Sequence, residues 1–97
     1  MNISLDYDQT YTVDPELYLA FVETAIERGH NVYVVTMRTP AETQSMDPAL
    51  CELVTKVIPT SRQAKREFVE KSHGIKIDVW VDDEPRAILE LANQIWK

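Results

Sequence analysis

Two carboxylates spaced i and i+2, Asp6 and Asp8, follow the short apolar run Ile3-Ser4-Leu5 and run on into Thr10. A strand carried through would point both the same way, and a strand ending at Asp6 would fan them around its tip; either way two acids crowd one strand end. Like charges that close raise each other's pKa or demand a cation. A second acidic pair, Asp82-Asp83, closes the run at residues 77–81, and Thr36 closes the run at residues 31–35. Carboxylates with a hydroxyl, and no histidine or cysteine among them, form a hard-oxygen set. Such a set suits magnesium, which keeps several waters and combines a few carboxylates with phosphate oxygens, whereas zinc prefers softer ligands.

For these groups to act together, the elements that carry them must converge. Residues 3–6 read as a strand, and Asp14 as the N-cap of a helix with Pro15 at its first position. Leu17, Ala20, Phe21, Thr24 and Ala25 recur at three and four along that helix, and Gly29 ends it. Residues 31–36, nearly all β-branched or aromatic, predict a strand covered on both faces. Residues 37–48 read as a loop, with Asp47-Pro48 capping a short helix through Cys51, Leu53 and Val54. A strand at residues 56–58 stops at Pro59. Thr60 or Ser61 is the expected cap of the next helix, with Ala64, Phe68 and Val69 inward and Arg62, Lys65, Arg66 and Lys71 open to solvent or a ligand; Gly74 closes it. Residues 77–81 form the fourth expected strand, and Pro85 begins a last helix with Ile88, Leu89, Ala92 and Ile95 on one face. Strands alternating with helices predict a mostly parallel sheet in a three-layer α/β/α, Rossmann-like arrangement, with the Asp6 strand near its centre. All strand C-terminal ends then lie on one edge, which brings Asp6 and Asp8, Thr36, and Asp82 and Asp83 together.

Length and composition agree. Ninety-seven residues make one domain, 1–97, with room for one core. A hydrophobic share of 44% with 27% charged residues is that of a folded soluble chain. The net charge of -6 opposes docking on a nucleic-acid backbone or an anionic membrane, and the bases gather only modestly, at Arg62, Lys65, Arg66 and Lys71. A single cysteine, Cys51, excludes an internal disulfide and reads as an apolar filler. With no apolar run near the ~20 residues a bilayer span needs and no leader-like start, a cytoplasmic location is the expectation.

Asp6-Tyr7-Asp8-Gln9-Thr10 resembles the DxDx[TV] signature of the haloacid dehalogenase-like phosphohydrolases. Val34-Val35-Thr36 resembles their second motif and Val81-Asp82-Asp83-Glu84-Pro85 their fourth; each is weak alone, while the ordered set is specific and spans the chain. For the third motif, a lysine on the helix before the last acidic strand, Lys65 is the best match, with Lys71 and Lys76 as competitors. The resemblance implies a magnesium-dependent phosphatase with Asp6 as nucleophile and Asp8 as general acid and base. It also implies magnesium held by Asp6, the Asp8 backbone carbonyl and Asp83, with Thr36 and Lys65 gripping phosphate oxygens and Asp82 orienting Lys65 or sharing the metal. Arg38 resembles an arginine so placed in some polynucleotide-end phosphatases, where it would help hold the substrate. Gln9 stands where many relatives have glycine. Neither gap between motifs has room for a cap domain, so the expected partner is a phosphorylated substrate presented as a macromolecular or nucleic-acid end, or a small phosphoester enclosed by a homo-oligomer.

Plainer readings exist for each residue. Aspartate favours turns, and Asp before a proline-led helix is ordinary capping. Thr36 is a common strand residue, and Lys65 and Arg38 could be solvated charges. His30 and His73 sit beside helix-ending glycines and receive no catalytic role; Trp96 reads as an apolar anchor for a second subunit. Two rival functions remain: a non-catalytic binding module on the same fold, and a phospho-accepting receiver-like domain. Receivers carry their acidic pair on the first strand and the lysine after the last, the reverse of the order here.

Overall fold

A computed structural model describes residues 1–96. The β-branched runs become four strands, β1 (Asn2–Leu5), β2 (Asn31–Thr36), β3 (Lys56–Pro59) and β4 (Val79–Val81). They form one sheet, parallel throughout, in the order β3-β2-β1-β4. The chain runs outward from β1 through β2 to β3 and then returns to lay β4 on the other side of β1. That reversal places a topological switch point between β1 and β2 on one side and β4 on the other, where an open α/β sheet leaves a crevice at its carboxyl edge.

The pleat sends alternate side chains to opposite faces. Ile3, Leu5, Val32 and Val34 pack with Val22 and Ala25 of α1 (Pro15–Glu27) and Leu50 of α2 (Pro48–Leu53). On the other face Val35 and Ile58, with Tyr33 and Trp80 beside them, meet Val69 and Phe68 of α3 (Lys65–His73). Helices therefore cover both faces, and Leu5, Val32, Val34, Val35 and Ile58 are fully buried. Each such side chain contributes about 1.5–3 kcal/mol by leaving water. No helix among the described residues is long and apolar enough to cross a membrane.

Local signals set the element ends. The Asp14 carboxylate accepts the Leu17 N–H at 3.2 Å over Pro15, and the Asp47 carboxylate accepts the Ala49 N–H at 3.1 Å over Pro48. Gly74 closes α3 at φ 64, a left-handed conformation that glycine adopts at little steric cost.

Four details differ from the sequence expectation. The buried face of α1 is Val22 and Ala25 flanked by Tyr18, Leu19 and Ile26, while Leu17 is 57% exposed. Residues 17–22 are apolar without a break, so spacing alone admits two faces and the sheet selects one. Neither Thr60 nor Ser61 caps α3: Ser61 and Arg62 adopt left-handed φ of 52° and 71°, and the helix starts at Lys65. Strand β4 is shorter than residues 77–81, because Asp78 turns its carboxylate to the Asn2 N–H and its own N–H to the Asn2 carbonyl. The last helix is broken into α4 (Arg86–Leu89) and α5 (Ala92–Ile95), with Glu90 and Leu91 extended and Leu89 69% exposed. The Gln94 side chain accepts the Leu91 N–H at 2.8 Å and so starts α5 afresh.

Candidate functional site

Asp6 directly follows β1, and its N–H donates to the Val81 carbonyl at 2.9 Å, continuing the β1–β4 ladder by one step. That register sets Asp6 beside Asp82, the residue after β4. Lys65, the first residue of α3, reaches in from the end of β3. It is nearly wholly buried, not open to solvent as its basic neighbours suggested, and its ammonium bridges Asp6 Oδ1 at 2.8 Å and Asp82 Oδ2 at 2.5 Å. Lys71 instead lies on the helix surface paired with Glu67.

Carboxylate oxygens of Asp6, Asp82 and Asp83 lie within 4.8 Å of one another. Thr10 ties two of them: its hydroxyl lies 2.9 Å from Asp6 Oδ2 and 3.0 Å from Asp83 Oδ1 and accepts the Asp83 N–H at 3.1 Å. The hydroxyl has one proton, so it serves one carboxylate at a time. Asp82 is further occupied by the Glu84 N–H at 3.0 Å. Asp82 is thus committed to Lys65 and the start of the following turn, which leaves Asp83 the more available of the pair.

Burial, opposed by Lys65 and reinforced by Asp83 and Asp82, raises the Asp6 carboxyl from 3.8 to about 7. When all three acids are ionised, one ammonium against three carboxylates leaves two negative charges uncompensated. A divalent cation coordinated by oxygen supplies that charge and would pull Asp6 back down. The donor set therefore fits a hard, oxygen-coordinated metal ion on chemistry, charge and proximity.

Asp8 lies outside this cluster. Its carboxylate is gripped on both oxygens by Arg38, Nε to Oδ2 at 2.9 Å and Nη2 to Oδ1 at 2.7 Å. Arg38 also donates to the Glu42 carbonyl and the Ser45 hydroxyl and lies 5.0 Å from the centre of the Tyr7 ring. It is no loose surface charge: it staples the loop after β2 to the loop after β1. Thr36, buried at the end of β2, accepts the Arg38 N–H on its hydroxyl at 3.2 Å.

Several supporting residues carry no distinctive signal in the sequence. Tyr7 and Tyr11 stack at 5.4 Å, and Asp47 clamps both, accepting from the Tyr11 hydroxyl at 2.6 Å and donating its N–H to the Tyr7 hydroxyl at 2.9 Å. Burial and Asp47 push the Tyr11 phenol well above its usual range. Arg62 donates to the Met37 carbonyl and to Glu42, whose carboxyl falls to about 2 chiefly through that hydrogen bond. Only the left-handed residues Ser61 and Arg62 hint at this, and φ is not legible from their identities.

Asp6, Asp8, Thr36, Arg38, Lys65 and the Asp82-Asp83 pair line a cavity of about 690 Å3, and Tyr7, Thr10, Tyr11 and Asp47 support it from outside its lining. Its floor is the acidic cluster with Lys65; one wall is the loop from Met37 to Ser45, and the other runs from Glu84 to Trp96. Walls that no cap domain supplies thus come from two local segments, so the site is more enclosed than a bare sheet edge. No protein-family model matches the chain, and neither a curated protein nor a solved structure does.

Proposed function

We propose that the chain is a magnesium-dependent phosphomonoesterase of the haloacid dehalogenase-like type, working through an aspartyl-phosphate on Asp6. The observation that carries this reading is the arrangement of Asp6: a carboxylate at the switch-point crevice, held by a buried lysine and crowded by Asp82 and Asp83. Asp6 is the nucleophile. An Asp6 oxygen forms a bond to phosphorus while the ester P–O bond breaks, and the departing oxygen takes a proton from Asp8. Water then attacks phosphorus, Asp8 accepts its proton, and the Asp6–phosphorus bond opens to release phosphate. Lys65 and the Thr36 hydroxyl hold the phosphoryl oxygens, and Asp82 keeps Lys65 in place. Magnesium, held by Asp6, Asp83 and the Asp8 carbonyl, would offset the repulsion between phosphate and carboxylate. The left-handed φ of 64° at Gln9, between Asp8 and Thr10, accounts for glycine being common there in the family.

Asp8 must leave Arg38, at least in part, to move protons. An incoming phosphate competes for the same guanidinium donors, since Arg pairs as readily with phosphate as with carboxylate. That pairing is also the observation that favours the rival reading, a non-catalytic magnesium-binding module in which Arg38 keeps Asp8 permanently occupied. Turnover of an activated aryl phosphate decides between them. Phosphate release that disappears in Asp6→Asn and on chelation of magnesium is the expected result; release that survives both sinks the proposal, and magnesium binding without turnover on any phosphoester selects the rival.

A further inference from the structure

Trp96 is 59% exposed, yet it lines the cavity that holds Asp6. An indole at the wall of a cavity whose floor is charged offers a flat apolar face that water wets poorly. Its position is fixed from behind. Ile95 is buried with Met37 and Ala87, and Ala92 packs against them. The Ala92 N–H donates to the Arg62 carbonyl at 3.1 Å, and the Trp96 N–H to the Ala92 carbonyl at 2.9 Å. The turn that presents the ring is therefore anchored on the loops of the site itself. Asn93, three residues earlier, also lines the cavity and brings an amide that can donate and accept.

We propose that Trp96 is a stacking platform for a nucleobase, with the Asn93 amide at the base edge, so that the substrate is a nucleoside monophosphate whose phosphate lies at Asp6. This rests on the phosphatase reading and adds the substrate class to it. A cavity of about 690 Å3 is of the size that holds small organic ligands. The net charge of -6 and the acidic floor disfavour a polyanionic strand, which selects a free nucleotide over a nucleic-acid end. Stacking of one base on an aromatic ring amounts to roughly 5- to 150-fold in affinity.

The test compares kcat/KM for a nucleoside monophosphate with that for ribose phosphate, which presents the same ester without a base. The nucleotide is expected to be preferred at least ~5-fold, the lower end of that stacking range. Trp96→Ala brings the ratio close to one, and Trp96→Tyr keeps most of it. A ratio near one in the unaltered protein, or a ratio that Trp96→Ala leaves intact, overturns the inference. So does a preference for a phosphate-ended oligonucleotide over the mononucleotide, or loss of a dimer in Trp96→Ala with no effect on the ratio. A binding measurement separates this from the phosphatase reading. The chain has 2 tryptophans, so Trp80→Phe leaves Trp96 as the sole reporter. A nucleoside monophosphate with magnesium should quench its fluorescence and ribose phosphate should not. Quenching without hydrolysis of either ester leaves the stacking site standing and sinks the phosphatase; hydrolysis without quenching does the reverse.

Discussion

Asp6 is 7% exposed, between a buried cation and two further acids, and burial is the largest influence on its proton. The consequence for stability has a definite sign. The unfolded carboxyl loses its proton near 3.8 and the folded one near 7, so between those values the native state binds more protons. Stability from this group is complete below pH 4 and is lost as the pH rises to 7. At about 1.4 kcal/mol per pKa unit the loss is on the order of a few kcal/mol. Asparagine mimics the protonated form and does not titrate. In metal-free buffer, Asp6→Asn should therefore match the unaltered protein near pH 4 and exceed it increasingly towards pH 7 in urea unfolding; a difference that stays flat across that range refutes the burial account. The same comparison separates stability from catalysis, because the variant that gains stability is the one expected to lose turnover.

The elements act by placing chain ends, and the loop between β3 and α3 does so at a steric cost. Ser61 and Arg62 are consecutive left-handed residues without glycine, a conformation that crowds Cβ against the carbonyl. In return the Ser61 N–H donates to the Arg38 carbonyl at 3.1 Å and the Arg62 N–H to the Met37 carbonyl at 2.9 Å, binding this loop to the one after β2. The delay also puts Lys65 in the first turn of α3, from which its side chain reaches Asp6. Ser61→Gly relieves the crowding and should raise stability by up to about 1 kcal/mol, while Ser61→Ala should not, as read from denaturation midpoints at unchanged slope. The capping prolines and aspartates of α1 and α2 were legible in the sequence because capping is local chemistry. The start of α3 was not, because it is set by hydrogen bonds to residues more than twenty positions away.

At the scale of the molecule, the acidic cluster belongs to a chain that already carries -6, so the native state gathers like charge at one sheet edge. A ligand that binds only the folded form stabilises it by RT ln(1 + [L]/Kd), about 2.7 kcal/mol at a hundred times Kd. Magnesium should thus raise the melting temperature at neutral pH, and Asp83→Asn should blunt the rise more than Glu52→Gln, an exposed acid outside the cluster; equal responses would place the cation elsewhere. The sequence by itself determined the alternation of strands and helices and the acids at strand ends, because periodicity, β-branched runs and capping residues are local. From these the parallel sheet and the convergence of Asp6 and Asp8, Thr36, and Asp82 and Asp83 could be argued, with Lys65 joining them only through the family resemblance. Tertiary structure alone decided that Lys65 is buried between two acids and that Asp8 is held by Arg38 and not in the cluster. It also decided that the segment ending in Trp96 returns to wall the cavity. Those outcomes depend on which of several equally apolar or equally charged partners lies nearest in space, and that distance exists only once the sheet has formed.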